Sequence, residues 1–167
     1  MKTVCHICQL KMQSTFDDCP QCGVNLADPK SETIVLSMPT GADRFMSMEE
    51  LGAPINLILT DKRIIMIDAQ KEEQKGGFLG GQGGLVGGFI AGAIEGARNA
   101  VDGRPLKLRD TTSVQLGDIA ALSVEESGFM KRFRMFTIST KDDNVYYVAF
   151  GKKIAPEWEA EIRKRMS

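Results

Sequence analysis

The apolar positions change texture along the chain, and each texture predicts a different element. Between residues 34 and 67 they form short β-branched runs. Ile34-Val35-Leu36 opens the series, Ile55, Leu57 and Leu59 alternate with Asn56 and Ile58, and Ile64-Ile65-Met66-Ile67 follows. Short alternating or continuous runs of this kind read as strands, and Thr60-Asp61-Lys62 between two of them predicts a hairpin. Val114–Leu116, Ile119–Val124, Phe136–Thr140 and Val145–Phe150 are four further strand candidates, with Lys141-Asp142-Asp143-Asn144 as the clearest turn. The end of the chain switches to a helical period, with Ile154, Trp158, Ile162 and Met166 four residues apart and Pro156 suited to start the helix. Glu157, Glu159 and Glu161 come early and Arg163, Lys164 and Arg165 late, as the helix dipole favours. The expected fold is mainly β (α+β), with this helix as a lid over the open end of a sheet or barrel. A helix that binds a membrane or a partner is the rival reading.

The stretch GGFLGGQGGLVGGFIAGAIEGARNAV, residues 76–101, fits neither texture. A phosphate-binding loop needs Gly-Lys followed by Ser or Thr, and a dinucleotide fingerprint needs a third glycine where Val86 stands, so both readings fail. Gly76, Gly80, Gly84, Gly88, Gly92 and Gly96 instead recur every fourth residue, with Ala100 continuing the series. This glycine zipper permits close approach of two helices. Six glycines in residues 76–84 favour a loop there. From Leu85 onward the pattern predicts an amphipathic helix, with Glu95, Arg98 and Asn99 on one side and an apolar half that runs to Val101. Gly88, Gly92 and Gly96 are its candidate helix-contact positions. The charge-free run from Gly76 to Ile94 approaches membrane-spanning length. A single crossing, however, would put strands of one sheet on opposite sides of the bilayer. Packing against the body or a second copy, lying on a membrane surface, and a disordered insertion stay open.

Composition narrows the class. With 167 residues, 43% hydrophobic and 26% charged, the chain has ordinary globular character. A formal net charge of −1 argues against a general nucleic-acid binder. No apolar run of signal-peptide length opens the chain, so export is not indicated. All four cysteines lie within the first twenty-two residues, which points to metal in a reducing compartment rather than a disulfide framework.

Those cysteines carry the strongest chemical signal. Cys5-His6-Ile7-Cys8 and Cys19-Pro20-Gln21-Cys22-Gly23 are two Cys-x-x-Cys turns ten residues apart, a spacing that brings Cys5, Cys8, Cys19 and Cys22 around one ion. A closed four-thiolate shell suits tetrahedral Zn2+ in a structural role and leaves no position for water or substrate. The metal supplies folding energy that about twenty-five residues cannot obtain from their own core. A redox pair would need a βαβ setting, which is missing, and iron can replace zinc in a four-sulfur site. His6, the sole histidine, is expected as an exposed turn residue. The segment resembles the short zinc ribbons at the head of many bacterial and archaeal proteins, over residues 5 to about 26.

A second resemblance covers the body. Leu57-Ile58-Leu59-Thr60-Asp61-Lys62-Arg63-Ile64-Ile65 is similar to the "L-T-(D/N)-x-R-(I/L)-(I/L)" hairpin of GRAM and bacterial pleckstrin-homology-like (PH-like) domains. Gln115-Leu116-Gly117-Asp118-Ile119-Ala120-Ala121-Leu122 resembles their "I-P-L-x-D-I-x-x-(I/V)" strand. Phe136–Phe150 and the Trp158 helix match the closing hairpin and capping helix. The resemblance implies a twisted antiparallel barrel-like sandwich with one C-terminal helix, which binds lipids, peptides or proteins and is usually not catalytic. The expected organisation is a zinc ribbon over residues 1–28, the turn-rich linker Asp28-Pro29-Lys30-Ser31, and a PH/GRAM-like domain over 32–167 interrupted by a glycine-rich insertion at 71–104.

Catalytic candidates are weak, because the histidine and cysteines are committed to the ribbon and no nucleophile–base pair suggests itself. Lys131, Arg132 and Arg134 around Phe133 are a candidate headgroup site, with a solvated turn as the competing reading, and Lys107 and Arg109 are further basic positions. The functional expectation is a cytoplasmic, non-catalytic zinc-binding adaptor that binds a protein partner or self-associates. A peripheral membrane protein binding anionic lipid is the alternative, and a nucleic-acid-associated ribbon factor the second. Asp17 and Asp18 between the knuckles count against the last.

Overall fold

The computed structural model describes residues 2–13, 15–45, 52–69, 100–101, 104–105, 108–126 and 133–166. Two short strands, β1 (Lys2–Val4) and β2 (Lys11–Gln13), form an N-terminal hairpin around the first cysteine turn. The body comprises β3 (Ile34–Phe45), β4 (Ala53–Thr60), β5 (Arg63–Asp68), β8 (Thr111–Gln115), β9 (Ile119–Glu126), β10 (Phe133–Thr140), β11 (Val145–Gly151) and the helix α1 (Ala155–Arg165). A separate two-residue pair, β6 (Ala100–Val101) with β7 (Arg104–Pro105), lies between β5 and β8 in the chain.

The seven body strands form one antiparallel sheet in the order β8-β5-β4-β3-β11-β10-β9. β8 and β9 occupy opposite edges of that order, yet only the single 3-10 turn Leu116–Asp118 joins them. Seven flat strands would hold their edges roughly 29 Å apart at about 4.8 Å per neighbour, whereas three residues reach about 10 Å. The sheet must therefore curl on itself. Lys141 N donates to Asp118 O at 2.8 Å and Leu116 N to Lys62 O at 2.8 Å, fastening that corner. β3 bends to serve both halves. Its register against β4 shifts between Met38 and Ala42, across Pro39 and Gly41, and only Ala42–Phe45 pair with β11.

The concave face holds the main core: Ile55, Leu57, Leu59, Ile64, Met66, Val114, Leu116, Leu122, Phe136, Ile138, Val148 and Phe150. α1 closes it with Ala155, Trp158 and Ile162 buried and Ile154 and Met166 packed alongside, so the four-residue spacing is the lid's inner stripe. The Phe150 ring lies 4.3 Å from Phe136 and 5.2 Å from Trp158, both tilted by 43°, in the range where aromatic pairs attract. Arg163 reaches back to donate to Leu122 O on β9 at 3.1 Å. A curled antiparallel sheet with one C-terminal helix is the architecture that the PH-like resemblance implies.

One expectation is corrected. Ala100 and Val101 pair with Pro105 and Arg104 as a strand, so the predicted helix does not run through them; the intervening Asp102-Gly103 is a dipeptide that favours tight hairpins. Gly88, Gly92 and Gly96, with the rest of the zipper, lie outside the described residues. No helix among the described residues is long and apolar enough to cross a membrane.

Candidate metal centre and its seat on the sheet

The two cysteine turns fold as near copies of each other. In the first, Cys5 N donates to Leu10 O (2.9 Å) and Gln9 N to Cys5 O (3.1 Å); in the second, Cys19 N donates to Val24 O (2.8 Å) and Gly23 N to Cys19 O (2.7 Å). Each turn needs a left-handed residue after its second cysteine, Gln9 at φ 62° and Gly23 at φ 69°. Glycine meets that need without strain, and Gln9 is held there by a side-chain bond to His6 O at 3.3 Å.

The turns face each other and bring four sulfurs together. Cys5 Sγ and Cys22 Sγ are 3.6 Å apart, Cys8 Sγ and Cys19 Sγ 3.5 Å, and all four lie within 4.8 Å of one another. All four cysteines are free and buried, and these separations are far beyond a disulfide bond of about 2.05 Å. Four sulfurs at about 2.3 Å from one tetrahedral ion would sit about 3.8 Å apart, so the cluster is placed to hold a metal ion. Sharing of hydrogen bonds splits the thiols: bonding to Cys19 first among its neighbours pulls Cys5 down, bonding to Cys22 first brings Cys19 down to about 7, and Cys8 and Cys22 are driven up. Four thiolates in so small a volume require a cation to ionise together.

The ribbon does not stand apart from the body. Ile7, Met12 and Val24, with the cysteines, share one buried cluster with Ile58, Ile65 and Ile67 from the convex face of β4 and β5. Ile64 and Met66 belong to the concave core, so β5 is covered on both faces. Gln21, inside the second turn, secures the seat. Its Nε2 donates to Arg109 O at 2.7 Å and to Thr111 Oγ1, and Arg109 N donates to its Oε1 at 2.9 Å. The amide thus acts as one further residue of β-pairing beside β8. Sequence reasoning missed Gln21, because nothing local marks a glutamine whose partner lies 88 residues away. Gln21→Ala is expected to cost about 1–3 kcal/mol, from leaving the part-buried Arg109 backbone groups to find new partners, read as a lowered urea midpoint at unchanged slope.

Beside this seat lies a buried ion pair. Arg63 on β5 donates through Nε and Nη2 to Glu32 Oε1 (2.8 Å) and Oε2 (2.9 Å), and Thr60 Oγ1 donates to Glu32 Oε1 at 2.7 Å. Burial pushes the Glu32 carboxyl up, but the Arg63 and Thr60 bonds and the Arg63 charge outweigh it, leaving Glu32 below its ordinary 4.5. The pair therefore stabilises the fold above that ordinary value, and the contribution is lost as pH falls through the lowered one. Arg63 is raised by its bonds to Glu32 foremost, with burial opposing, and charge on Cys22 and Cys5 adds to the pull. Thr60 Oγ1 also accepts from Lys62 N and Arg63 N, so the threonine hydroxyl fastens the hairpin turn.

The other candidate positions fare differently. Lys131, Arg132 and Lys107 lie outside the described residues. Arg134 is inside β10, whose first residue is Phe133, and not in the turn before it; its Nη2 lies 3.6 Å from Glu126 Oε1, and its side chain is 34% exposed. His6 is partly buried, with Nε2 enclosed and without a hydrogen-bond partner among the described residues, so it is not the exposed turn residue expected. The ring lies between Cys5 and Cys8, in a turn whose cysteines pack onto the sheet. Arg44, on the concave side with Ala42, donates to Asp68 Oδ1 (2.6 Å) and Thr112 Oγ1 (3.0 Å). Burial raises the Asp68 carboxyl above its ordinary value while Arg44 opposes.

No protein-family model and no curated protein matches the chain. Among solved structures, the Vps36 N-terminal PH domain is similar over 90% of each chain, at 15% identity and a TM-score of 0.49. A similarity of that size bears on neither ligand nor partner.

Proposed function

We propose that the chain is a non-catalytic, zinc-binding interaction module, in which a structural Zn2+ held by Cys5, Cys8, Cys19 and Cys22 stiffens a PH-like body that binds a protein partner or self-associates. The observation that carries this reading is the seat of the sulfur cluster. Four buried thiolates against Ile58, Ile65 and Ile67 offer an ion a complete shell and no approach for a substrate. The bound ion supplies cross-linking and no reaction step. The barrel interior is filled by Phe136, Phe150 and Trp158, and its inward pair, Arg44 with Asp68, is mutually satisfied. A partner therefore meets the outer surface and the connecting segments, among which the residues 71–104 carry the zipper glycines.

The boundaries proposed are a ribbon at 1–28 and a PH-like domain at 32–167. Self-association through Gly88, Gly92 and Gly96 is favoured by their four-residue spacing. Anionic lipid at Lys131, Arg132 and Arg134 is the second reading, favoured by three basic residues within four positions.

The test replaces residues 76–100 by a short Gly-Ser linker in the zinc-loaded protein and compares it with the full chain by sedimentation and by flotation with anionic vesicles. The expected result is an oligomer that becomes a monomer on replacement, with neither protein floating. Flotation of the full chain alone would move the function to the membrane surface, and an unchanged monomer in both would remove self-association.

A further inference from the structure

A divalent ion in four thiolates leaves a formal charge of −2, and this cluster is packed among Ile7, Met12, Val24, Ile58, Ile65 and Ile67. Uncompensated charge in such a setting is costly. Backbone N–H groups of the two turns offset part of it, as those groups do in any turn of this form. Arg63 of the body lies on the same convex face. It alternates along β5 with Ile64 and so shares a side with Ile65 and Ile67. Two of its nitrogens, Nε and Nη2, are occupied by Glu32. The third, Nη1, is directed at the second cysteine turn. It would stand 3.8 Å from a Cβ placed on Gly23, the residue that follows Cys22, and it donates to Ser113 Oγ at 3.3 Å.

We propose that Arg63 is the counter-charge of the metal–thiolate centre, a positioning residue of the body that sets how tightly the ribbon holds a divalent ion. The inference rests on the reading of the four cysteines as a metal site. Arg63 touches no metal. It acts through space on the charge of the sulfurs, favouring the −2 state of a divalent centre over the −1 state of a trivalent one. Glu32 takes part by competing, because the carboxylate that orients the guanidinium also offsets part of the charge it offers the sulfurs. Ribbon and body are coupled through charge as well as through apolar packing, and the arginine of the body's hairpin has a task in the ribbon.

This arrangement gives opposite signs to two substitutions in one ion pair. Zinc affinity and release rate are measured on the full-length, zinc-loaded protein by competition with a chromophoric chelator, with metal content determined by mass spectrometry under non-denaturing conditions. Arg63→Met is expected to weaken zinc on the order of tenfold, the lower end of what outer partners of metal ligands contribute. Glu32→Gln keeps an acceptor for Nε and removes the competing charge, so it is expected to hold zinc at least as tightly as the parent, even while lowering the urea midpoint. Arg63→Lys keeps the charge and loses the two-pronged bond to Glu32; it is expected to retain zinc better than Arg63→Met and decides the matter should the methionine variant not fold. Parent-like affinity in Arg63→Met, or equal weakening in Glu32→Gln and Arg63→Met, would overturn the proposal by reducing the pair to a strut. A parent protein that takes up no zinc would instead remove the metal site itself.

Discussion

With zinc held by the four cysteines as proposed, stripping it with a strong chelator, or replacing Cys19 by serine, is expected to destabilise the sheet as well as the N-terminal turns. The reason is the shared cluster: Ile58, Ile65 and Ile67 are at most 7% exposed, and the ribbon is what covers them among the described residues. Uncovering three such side chains costs about 2 kcal/mol each, or about 5 kcal/mol after partial collapse. For a chain of this size each kcal/mol moves the melting temperature by about 2–4 °C, so a drop of roughly 10–20 °C is expected. Hydrogen exchange by mass spectrometry gives the location. Amides of β4 and β5 should lose protection together with residues 2–26, because those strands lose the layer on their convex side. A body whose β4–β5 amides and melting temperature stay unchanged without metal would mean that the ribbon merely rests on the sheet.

The second large effect belongs to the helix. Trp158 is 3% exposed and continues the aromatic series Phe136–Phe150–Trp158 into the concave core. Trp158→Ala is expected to cost about 3–5 kcal/mol, the range for removing a large buried aromatic, read from urea unfolding. Trp158→Phe should recover more than half of that, since it restores a ring against Phe150. A loss below about 1 kcal/mol for the alanine variant would identify α1 as an element held in reserve for a partner. The stripe of Ile154, Trp158, Ile162 and Met166 would then face a site and not the core.

How far these features could be read from the chain depends on the distance over which each is decided. The cysteine cluster was legible because two Cys-x-x-Cys turns impose their geometry within a few residues. The hairpin at Thr60–Arg63 was legible for the same reason, with the Thr60 hydroxyl bonding the backbone of Lys62 and Arg63. The helix showed because four apolar residues at one spacing commit to one face. The ribbon's docking was not read, although a trace of it was present. Ile64-Ile65-Met66-Ile67 is continuous where a strand with one wet face would alternate, and the second layer it demanded turned out to be the cysteine turns. Gln21 gave no such trace, because its partners at Arg109 and Thr111 lie 88 and 90 residues away and are brought to it only by the pairing of β8 with β5. The reading of Val101 as helical failed because an apolar residue at the end of a periodic run is also an apolar residue at the start of a hairpin. Arg134 moved from turn to strand because Phe133 already pairs with Gly151.

The bend in β3 has a consequence for synthesis on the ribosome. β3, β4 and β5 can pair as they emerge, but the far edge of β3 finds its partner only in β11, with Phe45 opposite Tyr147 roughly a hundred residues downstream. For that interval β3 is the border of an incomplete sheet, the kind of edge on which nascent chains stick to one another. The register break between Met38 and Ala42, where Pro39 offers no N–H, interrupts that border at its middle. The irregularity that lets β3 turn from one half of the barrel to the other also denies a neighbouring chain a long straight edge to copy.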